Sequence, residues 1–451
     1  MLVSFLTTIF VITNLSYMKT TLLSKLFGFD PKITTIRTEV LAGITSFLTM
    51  SYILAVNPEM FSILDGMPEG AVFTATALAA IIGCVVMAFW GKLPFGLAPG
   101  MGLNAFFIYT ICLGMGYPWQ FALTAVFLEG VIFILMTVFN IREAIVNALP
   151  ASLRCAIGAG IGLFIAFIGL QSAGIVVKND ATLVALGNIT SGSGLLAIIG
   201  LVITAGLYVL NVRGAMLIGI LSTTAIGIPM GITEFHGFMS YPQSITPIFC
   251  QFQWEQVFSI DMLIAVSTLL FFDIFDTVGT LVGVCTKANL IDKDGNIYRI
   301  KQAFMADAIA TTMGAILGTS TTTTFAESAS GVSVGGRSGL TAFVIGCCFV
   351  VTLFFSPLFL SIPAAATAPV LIIVGLLMVE PLRDVPFNDL TEGIPAFLCL
   401  IMMPMSYSIS NGILMGMIIY VFLNLLCGKS RKLTLTMIIL AIIFILKYIF
   451  I

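Results

Sequence analysis

Asp273 and Asp276 stand three residues apart in Phe271-Phe272-Asp273-Ile274-Phe275-Asp276-Thr277-Val278-Gly279-Thr280. On a helix, that spacing puts both carboxylates on one face. The run around them, from Phe258 to Val284, is apolar enough to cross a bilayer. An acid in the middle of such a segment costs about 2.5–3.5 kcal/mol on insertion scales. A chain that carries this twice is expected to turn the face toward a cavity where something polar binds. A structural polar patch between helices would need only one carboxylate. Asp276 either couples protons or holds unwound backbone.

Glu327 is placed for similar work. It follows directly on Gly318-Thr319-Ser320-Thr321-Thr322-Thr323-Thr324-Phe325-Ala326 and opens a helix that Gly335-Gly336-Arg337 keeps short. A helix start offers free backbone N–H groups and a partial positive charge. The carboxylate itself could accept two N–H bonds from a flat heterocycle. The plainer reading is an acid that offsets the helix dipole. Asn104 carries a donor and an acceptor on one planar amide, suited to a flat polar ligand or to a helix cap. Gly102 lets backbone approach a ligand or a neighbouring strand. Thr321 to Thr324 are expected to satisfy their own backbone through their hydroxyls. Glu129 and Asp307 read as structural partners of the irregular stretches, and Phe325 either stacks on a ligand or packs.

The elements that must hold these residues are membrane spans. The chain has 451 residues, 59% hydrophobic and only 9% charged, with a mean hydropathy of +1.13. Soluble domains carry roughly 25% charged residues, so the fold class is an all-α polytopic membrane protein. The expected spans run 38–58, 71–90, 99–115, 119–140, 151–171, 193–211, 214–233, 257–284, 303–319, 325–336, 339–361, 365–381, 389–408 and 410–427. That makes about 14 spans near the ~20 residues a bilayer needs. With the N-terminus cytoplasmic, all of the 19 lysines and arginines except Lys178 and Lys447 fall inside, as the positive-inside rule requires. Trp90, Trp119 and Trp254 fall at span ends. Residues 1–17 read as a misplaced start or an extra membrane segment, and 433–451 as a further helix or a surface-lying one. The 9 cysteines lack metal-ligand spacing and His236 is the sole histidine, so no metal or other cofactor is expected and the cysteines read as small core residues. No nucleic-acid partner is expected.

Two spans are broken. The third begins Gly96-Leu97-Ala98-Pro99-Gly100-Met101-Gly102-Leu103-Asn104, and the tenth opens on the threonine run, which favours extended backbone. Irregular backbone at membrane depth is tolerated only inside protein or along a cavity. The two breaks fall at matching places, seven spans apart, which points to a transporter of 7+7 inverted repeats with its site between them. Ile157–Leu170 and Ala366–Val379, both glycine-dotted aliphatic runs, hint at the same repeat.

At these motifs the chain resembles a known family. Asp30-Pro31 and Arg37-Thr38-Glu39-Val40-Leu41-Ala42-Gly43-Ile44-Thr45-Ser46-Phe47-Leu48-Thr49-Met50-Ser51-Tyr52-Ile53-Leu54-Ala55-Val56-Asn57-Pro58 resemble the first span of purine permeases of the nucleobase–cation symporter-2 superfamily. The resemblance is to their adenine/guanine/hypoxanthine (AzgA-like) branch. Gly96–Asn104, Phe272–Thr280 and Thr319–Gly331 are similar to that branch's third, eighth and tenth spans. The resemblance covers about residues 20–430. It implies a core domain (38–140 and 257–361) and a gate domain (141–256 and 362–430). The chain departs from the family at its ends, where residues 1–37 read as an N-terminal cytoplasmic segment, 1–17 of them without a family counterpart, and 431–451 as a C-terminal apolar segment. The resemblance implies Gly102, Asn104, Asp273 and Glu327 as substrate residues, and Asp273, Asp276 and Glu327 as proton-coupling residues. A homodimer in the cell membrane is implied as well.

The expected function is proton-coupled import of purine nucleobases. No basic residue lies within the Asn104, Asp273 or Glu327 motifs, which argues against phosphates and carboxylates as cargo. Carboxyl groups shielded from water can exchange a proton near physiological pH. Guanine and hypoxanthine, which carry an N1–H, are expected over adenine, whose N1 is an acceptor. An adenine-preferring permease and a facilitative nucleobase carrier are the near alternatives. A channel would need a ring-like filter sequence, and none stands out. An intramembrane prenyltransferase-like enzyme is the remote alternative, because Asp273-x-x-Asp276 superficially matches its aspartate pairs. Such sites need cationic residues for a diphosphate, and none adjoins the pair.

Overall fold

Where no water is at hand, a backbone satisfies its own N–H and C=O groups as helix. The computed structural model describes residues 19–139, 150–288 and 299–429, with scattered positions between 432 and 445. The expectations for 1–17, for most of 433–451, and for the placement of Arg142 and Lys293 lie outside the described residues. After the short helix α1 (Lys19–Phe27), the first apolar span is built of α2 (Ile36–Met50) and α3 (Ile53–Phe61), joined through a turn at Ser51 and Tyr52. Helix α4 (Glu69–Val86) follows and widens into a π-turn over Met87–Gly91.

By length and composition, seven described stretches can cross a membrane: Ile36–Phe61, Glu69–Gly91, Trp119–Val138, Ala151–Ser172, Gly192–Val209, Gly339–Leu360 and Ala364–Asp384. Shorter apolar helices, Met101–Gly114, Ala215–Gly227, Leu390–Met405 and Asn411–Leu426, lie among them. Many begin directly after a proline: Pro68, Pro118, Pro150 and Pro363 each take an extended ψ and hand the chain to a helix. Proline's fixed φ and missing N–H suit that position.

The third and tenth spans break as strands. β1 (Leu97–Pro99) leads into α5 (Met101–Ala105), which loosens into a π-helix over Phe106–Gly114. An exposed hairpin, β2 (Val176–Asn179) and β3 (Leu183–Leu186), follows later in the chain. β4 (Thr322–Thr324) precedes the short helix α12 (Ser328–Val334). β1 and β4 pair antiparallel, Leu97 opposite Thr324, Ala98 opposite Thr323 and Pro99 opposite Thr322. The ladder is extended by Gly100 N–H to Thr321 O and by Phe325 N–H to Gly96 O, each 3.0 Å. All six strand residues are buried. Pairing inside the protein is what makes extended backbone tolerable there.

Around this crossing, α6 (Trp119–Val138) packs on both α10 (Ile260–Ala288) and α11 (Ile300–Leu317), while α2 packs on α12 and on α13 (Gly339–Thr352). A second set is formed by α7 (Ala151–Ser172), α8 (Gly192–Val209), α9 (Ala215–Gly227), α15 (Ala364–Val379), α16 (Leu390–Met405) and α17 (Ile409–Leu426), with α7 lying along α15. The short α14 (Ser356–Leu360), which follows α13 in the chain, packs on α3 and α4. At the α7–α15 contact, a Cβ on Gly162 would fall 2.5 Å from Gly375 O, and one on Gly375 2.4 Å from Gly162 O. Small residues there let the two backbones touch. Glu39 in α2 is fully buried and accepts from Arg337 N (2.9 Å), Ser338 N (3.3 Å) and the Thr341 hydroxyl (2.5 Å). It thereby closes the start of α13.

Candidate functional site

The broken spans place their polar residues at one crossing. Asn104 sits in α5, one turn beyond β1, with no solvent exposure. Its N–H bonds to Gly100 O (2.8 Å), so it is an interior helical residue and not a cap. The Ser320 hydroxyl donates to Asn104 Oδ1, while Asn104 Nδ2 is buried and meets no acceptor among the described residues. A buried amide donor without an acceptor is costly, and a ligand acceptor would relieve it. Beside it, Gly102 admits other side chains. A Cβ there would lie 2.4 Å from Phe272 Cζ and 2.8 Å from Ile161 Cγ2.

Glu327 immediately precedes α12 and is half-buried. The helix start does not offer the free N–H groups expected of it: Ser328, Ala329 and Ser330 N–H bond to Phe325, Ala326 and Glu327 carbonyls at 3.1, 3.0 and 3.0 Å. The tight turn uses its own amides, so polar chemistry at this end rests on the carboxyl group. The Tyr52 hydroxyl donates to Glu327 Oε1 at 2.6 Å. Tyr52 is 1% exposed, and its ring tilts against Phe325 with centroids 6.4 Å apart. Sequence reading passed over Tyr52. The available signal was a phenol inside an apolar span, where a buried hydroxyl usually finds a partner.

Asp273 is fully buried in α10, and Asp276, one turn on, is partly exposed. The Thr277 hydroxyl ties this helix to the crossing. It lies 2.8 Å from Asp307 Oδ2, 2.9 Å from the Thr323 hydroxyl and 3.4 Å from Asp273 Oδ1. Asp307 also accepts from the Thr324 hydroxyl (2.7 Å), and Glu129 Oε2 from that of Thr321 (2.6 Å). Glu129 and Asp307 are thus structural partners of the tenth span. The hydroxyls of Thr321, Thr323 and Thr324 reach these acids and Thr277 instead of their own backbone, a departure from expectation, and that of Thr322 meets no partner among the described residues. A carboxylate accepts a neutral donor more strongly than a carbonyl does, which explains the choice.

The assembly offers oriented carboxyl acceptors, one amide donor and aromatic faces, a set suited to a neutral, flat, polar ligand. Residues 37–415 match the permease family. The guanine/hypoxanthine permease PbuG of Bacillus subtilis is 45% identical, over 94% of this chain and 99% of its own length. The adenine permease AdeP of Escherichia coli is 43% identical, over 95% of this chain and 96% of its own. Among solved structures, the transmembrane domain of the cyanobacterial bicarbonate transporter BicA aligns with a TM-score of 0.62 at 15% identity, covering 83% of this chain and 97% of that one. At that identity the likeness is one of fold alone.

Proposed function

The chain belongs to the permease family, and from that premise we propose that it imports purine nucleobases by proton symport, guanine and hypoxanthine ahead of adenine. It is a transport protein and not an enzyme, and the prenyltransferase-like reading of the aspartate pair falls with that finding. The observation that carries the proposal is the polar set at the β1–β4 crossing. Asn104 Nδ2, buried and without an acceptor among the described residues, is assigned to a ligand acceptor, and the Glu327 oxygen that Tyr52 does not engage is assigned to ligand donors. Asp273 lies beside Thr277 at the crossing, Gly102 lets Phe272 come close to α5, and Asp273, Asp276 and Glu327 are the groups assigned to proton exchange. A proton taken up by one acid as the base docks lets the loaded carrier cross without a bare buried charge.

The same proposal extends to architecture. Fourteen spans as 7+7 inverted repeats accord with the two strand breaks in register and with the reciprocal Gly162–Gly375 contact. The core domain (38–140 and 257–361) moves against the gate domain (141–256 and 362–430) in a homodimer, with the N-terminus in the cytoplasm of a cell whose surface membrane holds it. A second reading, an adenine-preferring carrier, is favoured by the likeness to AdeP. Uptake of labelled hypoxanthine into proteoliposomes, with and without a pH gradient and against unlabelled guanine, hypoxanthine and adenine, decides among these. Accumulation that ignores the gradient would leave a facilitative carrier. Adenine competing at concentrations as low as guanine would defeat the preference.

A further inference from the structure

Glu327 does not meet its ligand as a free carboxylate. Its Oε1 accepts the Tyr52 hydroxyl at 2.6 Å, within the range of an O–H donor on an ionised oxygen. Three further contacts hold the first span against this turn. The Thr49 hydroxyl reaches Glu327 O (3.4 Å) and the Ser330 hydroxyl (2.9 Å), and the Ser46 hydroxyl reaches Ser328 O (3.4 Å). Tyr52 itself cannot wander: it sits in the turn between α2 and α3, buried on all sides, with Phe325 against its ring. A phenol locked in place and aimed at one carboxyl oxygen makes the two oxygens unequal.

We propose that Tyr52 is a positioning residue that orients Glu327 and favours its ionised form while the base is bound, committing Oε1 and presenting Oε2 to the N1–H of the substrate. The reasoning rests on the nucleobase reading above. A donated hydrogen bond favours the charged form of a carboxyl group, and the charged form accepts an N–H more strongly than the protonated one. Bases with an N1–H depend on this arrangement. Adenine, which brings a lone pair at N1, gains nothing from an ionised Glu327 and depends on Tyr52 far less.

The test is competition against labelled hypoxanthine uptake by wild type, Tyr52→Phe, Glu327→Gln and the double variant, normalised to protein in the membrane. Tyr52→Phe removes one oxygen and keeps the ring. It should raise the half-inhibitory concentrations of guanine and hypoxanthine about tenfold, the loss of one good hydrogen bond. That of adenine should move much less, and maximal uptake should change little. Because Tyr52 acts through Glu327, its loss should add nothing in the Glu327→Gln background, a non-additivity that a purely packing role does not produce. Equal weakening of all three bases, or additivity with Glu327→Gln, would overturn the proposal while leaving purine transport intact. Should Tyr52→Phe fail to reach the membrane, fluorotyrosine at position 52 keeps the fold and strengthens the donor. Guanine competition should then tighten, and no change or a loss would count against the proposal. Failure of wild type to take up any of the three bases would overturn the nucleobase reading and this inference with it.

Discussion

Asp273→Asn keeps the size of the side chain and an oxygen for Thr277, which lies 3.4 Å from Asp273 Oδ1, but removes the capacity to carry a charge on and off. If Asp273 exchanges the coupled proton, the variant should lose about tenfold in accumulation driven by an imposed pH gradient, the equivalent of roughly 1.4 kcal/mol, and lose less in equilibrium binding of base. Unchanged gradient-driven accumulation by a well-expressed variant would remove Asp273 from that role. Intramembrane acids stand out in an apolar sequence, so Asp273, Glu327, Glu129 and Asp307 were all legible. What each one does was less so. Glu129 and Asp307 are told apart from ligand groups only by the threonine hydroxyls that reach them. Tyr52 carried no charge to mark it, and its partner lies in another half of the chain.

At the scale of elements, hydropathy punctuated by proline and glycine located the helices, because both signals are local. The breaks of the third and tenth spans were legible for the same reason. Their pairing was not, since the register of Leu97 on Thr324 depends on two segments far apart in the chain. The turn at Ser51–Tyr52 has neither glycine nor proline to announce it, while the helix runs on through Pro58. Close helix contacts can be tested one glycine at a time. On α7, nothing lies within 4 Å of a Cβ at Gly158, whereas one at Gly162 meets the Gly375 carbonyl, which cannot rotate away. Gly162→Ala should therefore destabilise the protein by about 1–3 kcal/mol. Gly158→Ala should be neutral, or stabilising by up to about 1 kcal/mol, through helix propensity. Thermal midpoints in one detergent read the difference, and equal midpoints would mean that the two backbones are not in contact.

Helix ends make a second element-scale case. Asp389, just before α16, accepts Lys429 Nζ on both oxygens at 3.0 Å and Lys432 Nζ at 3.3 Å. Nearby, Glu392 accepts Ser152 of α7 (2.5 Å), Tyr420 of α17 (3.2 Å) and Lys432 (2.7 Å). The hydrogen bond from Lys429, aided by that from Thr391, holds the Asp389 carboxyl well below the usual carboxylate range. A value lowered in the folded state stabilises above the unfolded value of about 4 and fades as pH falls toward the folded one. The thermal midpoint of wild type should accordingly decline as pH falls below about 4. Lys429→Met should start lower at neutral pH and decline less over the same range. Parallel curves for the two proteins would show that the contact contributes nothing measurable, as many exposed ion pairs do.

For the whole molecule, the basic residues speak to orientation. Lys92 Nζ donates to Lys25 O (2.6 Å), and Arg299 reaches the carbonyls of Trp90 and Gly91 (3.5 and 3.4 Å), so three basic residues distant in sequence share one end of the bundle. By the positive-inside rule that end is the one expected to face the cytoplasm. Two free, exposed cysteines report on both ends: Cys250, between α9 and α10, and Cys427, directly after α17. In the fourteen-span arrangement an odd number of spans separates them, which puts Cys250 outside and Cys427 inside. The other cysteines are buried or half-buried and should react slowly. A membrane-impermeant maleimide added to intact cells should therefore label wild type and Cys427→Ser but not Cys250→Ser, and inside-out vesicles should show the reverse. Because labelling reads the parity of the spans between the two thiols as well as their direction, the wrong results are informative. Labelling of both thiols from one side would require an even number of crossings between them and break the inverted repeat. Labelling of Cys427 alone from outside would keep the repeat and turn the whole protein over.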